Sequence, residues 1–173
     1  MRTVVIAILM LGLGCRTDNN AAAINYYTTN KKHLEKNIVD ETGNYAAAVI
    51  PTSLLNDRQD IRLQYEDSLV YIRMVHSGKN IGRDKSAYYY GIDNSFRIAI
   101  GADTVLPELV IPVANGMANR LEYIIGIDPY TLPTGSDTLS VYWLLPDANE
   151  KGISFQFSKR MIDQLNTNNS TRL

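Results

Sequence analysis

A chain of 173 residues with 17 basic and 18 acidic side chains, a net charge of −1, is sized for one domain with a proper core. With no concentrated basic tract the composition speaks against nucleic acid as a partner, and Lys31, Lys32 and Lys36 read as a solvated helix face. The single cysteine, Cys15, excludes a disulfide within the chain.

In chain order, Arg2 comes first, followed by an apolar run over residues 4–14 and then Cys15. One cation, an apolar stretch and small residues before a cysteine is the order of an export signal. The run is too short to cross a bilayer as a helix, which takes roughly 20 residues. The segment Leu11-Gly12-Leu13-Gly14-Cys15 resembles the lipobox of bacterial lipoproteins. That resemblance implies that Cys15 is lipidated on sulfur, that residues 1–14 are removed, and that the new amine is acylated. The membrane is then a partner through the anchor on Cys15, and several acyl chains make such a tether effectively permanent. Arg16, standing where an Asp would favour the inner membrane, implies the outer membrane, on its periplasmic face. Residues 15–29, polar and then small, are expected to be a tether. Residues 30–173 are expected to be one domain.

Two short helices are expected, one after Asn30 through Leu34 and Lys36, the other after Ser53 over residues 54–59. From there the dominant signal is apolar residues at every second position, the spacing of a half-buried strand. Ile61, Leu63 and Tyr65 show it, as do Val70, Ile72 and Met74 opposite Tyr71 and Arg73. Phe96, Ile98 and Ile100 continue it, then Leu121, Tyr123, Ile125 and Ile127 opposite Glu122, Ile124 and Gly126. Leu139, Val141, Trp143 and Leu145 follow, and Ile153, Phe155 and Phe157 close the series. Segments 45–50, 87–92 and 109–113 are less regular candidates. Pro107 and Pro112 bracket residues 108–111, and because proline cannot donate to a ladder that strand is expected at a sheet edge. After the last strand, residues 159–165 are expected to turn helical and 166–173 to fray. The fold class that follows is mostly β: an antiparallel β-sandwich, immunoglobulin-like or transthyretin-like, of about 7–9 strands with one or two short helices.

The search for chemistry yields little. His33 and His76 have no second ligand at a metal-like spacing and read as incidental surface residues, so no metal or cofactor is expected. The chain has no nucleophile elbow, phosphate-cradling glycine loop or dinucleotide fingerprint, and the expectation is that it is not an enzyme. Eleven tyrosines against three phenylalanines are the compositional oddity. In Tyr88-Tyr89-Tyr90 a strand would put Tyr88 and Tyr90 on one side, and tyrosine is enriched in contact surfaces. With the expected edge strand, this makes Tyr88, Tyr90, Glu108 and Val110 the candidate interaction surface. Three triplets, led by Asp67, Asp103 and Asp137, resemble an acceptor pattern for O-glycosylation of exported bacterial proteins, with Ser68, Thr104 and Thr138 as the acceptors. Each also reads as an Asp-led turn into a strand.

Two functions stay in view. The first is a membrane-anchored, non-catalytic binding or assembly module for another envelope protein. The second is a carbohydrate- or small-ligand-binding domain using Tyr88, Tyr90, Tyr142 or Trp143, although the alternation turns Trp143 into the core.

Overall fold

The computed structural model describes residues 19–56, 68–78, 81, 90–114, 116–132, 136–145 and 152–170. Cys15, Tyr88 and the expected strand at 61–65 lie outside them, as do residues 87–89 of the expected strand at 87–92; its residue Ile92 begins a 3-10 turn, Ile92–Ser95.

Nine strands among the described residues form two antiparallel sheets packed face to face, the β-sandwich that the alternation predicts. The five-stranded sheet has the order β1-β2-β3-β7-β6, from β1 (Glu35–Val39), β2 (Asn44–Ile50), β3 (Val70–Ser77), β7 (Arg120–Ile127) and β6 (Leu109–Pro112). The four-stranded sheet has the order β5-β4-β8-β9, from β5 (Asp103–Val105), β4 (Phe96–Ile100), β8 (Thr138–Leu144) and β9 (Gly152–Ser158). The inner rows Val70, Ile72, Met74 and Leu121, Tyr123, Ile125 meet Phe96, Ile98, Leu139, Val141, Trp143 and Phe155 in one core. Trp143 is at its centre, with ring centroids 5.4 Å from Tyr123, 5.5 Å from Phe96 and 6.1 Å from Tyr45.

Four findings depart from the sequence reading. First, the expected tether 15–29 does not persist to residue 29, because α1 (Asn19–Thr29) is a helix packed on the domain. Its Ala23 is fully buried, and the Tyr26 hydroxyl donates to Gln164 Oε1 at 2.7 Å. Alanine is the best helix former, and the partner that holds this segment, α4 (Lys159–Ser170), comes from the far end of the chain. Second, α4 runs to Ser170 where fraying was expected after residue 165; Ile162 and Leu165 are buried and pin it to the core.

Third, the helix expected through Lys36 stops early. The helix α2 (Lys31–Leu34) gives way to β1 at Glu35, whose amide donates to the Lys31 carbonyl, and pairing with β2 carries Lys36 into the sheet. The short α3 (Thr52–Asn56) lies where a helix over 54–59 was expected. Fourth, the outer face of the five-stranded sheet is not simply a wet face. Leu55 of α3 covers Tyr71 and Ile124, with Ile50, Leu69, Ile111 and Val113 packed around them as a second apolar cluster. With this cluster over Ile124, and with Arg73 and Arg120 against Glu122, seven consecutive residues of β7, Leu121 to Ile127, are buried whichever way they point.

Candidate functional site

The outer face of the five-stranded sheet carries the charged side chains of Glu35, Arg73, Arg120 and Glu122. Cross-strand register sets it out in rows: Glu35, Ala48 and Arg73; then Asn37, Ala46, Val75 and Glu122; then Val39, Asn44, Ser77 and Arg120. Ala46 and Ala48 are short, so the face is hollow along β2 and rises on both sides. One wall is Tyr27 of α1 above Glu35, whose carboxylate accepts the Tyr27 hydroxyl proton. The other is Arg73 and Arg120. The resulting trough has a volume of about 280 Å³. Burial, then the hydrogen bond to Glu35, pushes the Tyr27 phenol far above its ordinary range, while Arg73 across the trough pulls the other way.

Glu122 holds the second wall. Its side chain is only 4% exposed; Oε1 accepts from Arg73 Nε at 2.6 Å, and Oε2 lies 3.2 Å from Arg120 Nη2. Arg73 and Arg120 thus share this carboxylate. Such charge-assisted contacts fix side-chain orientation. Arg120 Nε is sealed from solvent with no hydrogen-bond partner.

A second group sits at the inner end of β3. His76, expected on the surface, is 7% exposed. Register opposes it to Tyr45, and the rings stack with centroids 4.2 Å apart, with Trp143 edge-on at 6.0 Å. Backbone closes the cage: a Cβ added at Gly43 or Gly78 would lie 3.1 Å from His76 Nε2, and about 2.5 Å from the Ser77 or Thr42 carbonyl oxygen respectively. Beside it, Thr42 Oγ1 donates to Asp40 and accepts from the Tyr45 hydroxyl. Neither His76 nitrogen reaches hydrogen-bond geometry. Desolvation therefore lowers the imidazole pKa from 6.5, against the weaker opposing pull of the Thr42 carbonyl and Asp40.

This arrangement predicts an acid limb of stability. A histidine buried neutral binds fewer protons folded than unfolded, so stability is intact above pH 6.5 and declines as the pH falls through and below that value. Asp40, whose carboxyl is held low chiefly by the Thr42 hydroxyl, acts in a separate window below 3.8. Urea midpoints between pH 7.5 and 5 are expected to fall for the wild type and to be nearly flat for His76→Phe. Parallel slopes in the two proteins would remove His76 as the cause.

Of the residues singled out from sequence, the described ones do not converge. Tyr90 is 81% exposed and stands just before the Ile92–Ser95 turn, which packs against β6. Glu108 is exposed, its amide bonded to the Gly126 carbonyl at 2.9 Å. Val110 departs from its expected role because its side chain packs against the main core, leaving only its backbone at the edge. The Val113 amide bonds to the Glu122 carbonyl, and alternation turns the backbone of Val110 and Pro112 outward. Pro112 has no N–H to offer, so the β6 edge is a poor template for pairing.

Ser68, Thr104 and Thr138 are all exposed. Thr138 opens β8 as an Asp-led turn predicts, while Thr104 lies inside the short β5, which the alternation missed. Among the described residues no three His, Cys, Asp or Glu gather as metal ligands. The chain matches no family model, no curated protein and no solved structure. What can be read of its function comes from its own residues.

Sequence reasoning missed both charged and aromatic groups. Arg120 and Glu122 at alternate positions of one strand were a legible ion-pair signal, but nothing local places Arg73 beside them. His76 follows the inner-face alternation Val70, Ile72, Met74 by one more step, and that extension was the available clue.

Proposed function

We propose that the protein is a lipid-anchored lipoprotein of the bacterial envelope, tethered through Cys15 to the outer membrane on its periplasmic face. In this reading the β-sandwich is a non-catalytic binding or assembly module for another envelope protein. The observation that carries the proposal is the order of Arg2, the apolar run and Leu11-Gly12-Leu13-Gly14-Cys15 ahead of a sandwich that is the only unit the described residues form. The hollow, charged outer face of the five-stranded sheet supports the binding role. A single module surface need not contain reactive groups to act; it needs shape and charge that match a partner.

The test is metabolic labelling of cells with an alkyne analogue of palmitate. The expected outcome is a labelled band in the membrane fraction, shortened by the mass of residues 1–14, with Cys15→Ala unlabelled and released from the membrane. A Cys15→Ala protein that remains membrane-bound and processed at the same point would overturn the anchor. Crosslinking in intact cells tests the module role, which falls if no protein neighbour is captured.

A further inference from the structure

We propose that the trough along β2 is a carboxylate-reading site that takes an extended acidic peptide segment of a partner protein. The proposal rests on the binding-module reading and supplies its surface and its ligand chemistry. Three observations carry it. The Arg73–Glu122–Arg120 triad is about three-quarters buried or more and holds two positive charges against one negative. A guanidinium has five N–H donors, and the contacts to Glu122 take only part of this supply from Arg73 and Arg120. Glu35 on the facing wall is already paired with Lys31 Nζ at 3.6 Å, so the five charged groups here, Lys31, Glu35, Arg73, Glu122 and Arg120, keep a surplus of one cation. A partly desolvated surplus cation with unused donors is complementary to a carboxylate, which guanidinium recognises in a fork.

The shape selects an extended chain. The volume of about 280 Å³ holds one or two side chains, not a whole ligand, so the bound molecule continues past its ends. The hollow follows β2 from Asn44 to Ile50, a length of about 20 Å at strand rise, and Asn37, Asn44 and Ser77 offer neutral donors and acceptors for peptide groups at one end. Beside it, the hydrogen bond from the Asp40 amide to the Gly43 carbonyl sets the β1 ladder so that Asn37 and Val39 turn their backbone groups to the open edge. Main-chain pairing to a sheet edge with side chains read in adjacent hollows is an established mode of peptide recognition. A sugar chain would call for stacking faces; the lining has one aromatic, Tyr27, and its hydroxyl is committed to Glu35.

The experiment is a titration of the full chain, isotope-labelled and held in mild detergent, followed by amide chemical shifts. The probes are an N-acetylated hexaglutamate amide, the matching hexaglutamine amide, inorganic phosphate and oligogalacturonate. Saturable shifts centred on Ala46, Ala48 and Arg73 are expected with hexaglutamate and not with hexaglutamine. Arg73→Gln and Arg120→Gln are each expected to weaken hexaglutamate at least about tenfold, with added salt weakening it further. Thermal melts of both variants separate lost binding from lost folding, and Lys32→Gln, away from the trough, is expected to bind as the wild type does. Equal affinity in the arginine variants, or equal binding of hexaglutamine, overturns the proposal. Phosphate or oligogalacturonate binding as tightly as hexaglutamate replaces the peptide with a general anion or a uronate. These results are independent of lipid labelling at Cys15: a bound peptide on an unlabelled protein keeps the trough and discards the anchor, and the reverse pattern discards the trough alone.

Discussion

Trp143→Ala is expected to destabilise the domain by about 4 kcal/mol, a large share of the roughly 5–15 kcal/mol that holds a domain of this size. Trp143 is fully buried, and its ring touches Tyr45, His76, Phe96 and Tyr123, so it joins β2, β3, β4 and β7 to β8. Its Nε1 has no hydrogen-bond partner, so the substitution removes packing alone and leaves no polar group orphaned. The expected cost is therefore the lost apolar transfer plus the cavity left between two sheets that cannot both collapse inward. Trp143→Phe retains ring contacts with Phe96 and Tyr123 and is expected to cost less than about half as much. Because this is the only tryptophan, wild-type unfolding can be followed by fluorescence, but the Ala variant needs far-ultraviolet circular dichroism in urea. A loss below about 1 kcal/mol for Trp143→Ala would mean that the sheets are not held together at this point.

Glu122→Ala carries the second large effect, a loss of about 3 kcal/mol. The reason is not the attraction lost but the charges left behind. Arg73 and Arg120 would face each other across an emptied site, each with its side chain only about a quarter exposed. Water can reach both guanidiniums in part, which keeps the cost near the lower end for a broken buried pair. Combining Glu122→Leu with Arg73→Met and Arg120→Met removes both unmatched charges with it and is expected to recover most of the loss. Urea unfolding at low and high salt distinguishes this from a surface effect, since a buried cluster is screened little. A Glu122→Ala protein as stable as the wild type would show that the triad is solvated in practice and that its orientation is not fixed.

The sandwich was legible because period-two alternation survives wherever a strand has one wet side. β8 and β9 show this most clearly, with Leu139, Val141 and Trp143 inside and Thr138, Tyr142 and Leu144 outside. The same rule misjudged β7, where Ile124 and Glu122 lie on the outer side and are still buried. Alternation states which residues share a face, but not whether a helix such as α3 later covers it. β1 and β5 were missed for a related reason. Each is a short edge strand whose state is set by one neighbour, and Lys-Lys-His-Leu-Glu-Lys carries helical propensity that pairing with β2 overrides. α1 was missed because its burial depends on α4, a contact between opposite ends of the chain. The candidate site was less legible than the fold. Arg73, Glu122 and Arg120 meet only through the register of β3 with β7, and no spacing within either strand announces it.

The pairing of α1 with α4 also sets how the domain stands on its membrane under the proposed anchoring. With helix beginning at Asn19, the proposed anchor on Cys15 would lie only four residues ahead of the packed domain. Fully extended, the path from Cys15 to Asn19 reaches about 14 Å. That is less than half the thickness of a bilayer's hydrocarbon core. The domain would be a low-standing fixture, with its α1 end turned to the lipid and little freedom to swing. A partner that must meet the trough would arrive within a shallow layer next to the headgroups, alongside the membrane and not from deep in the surrounding compartment.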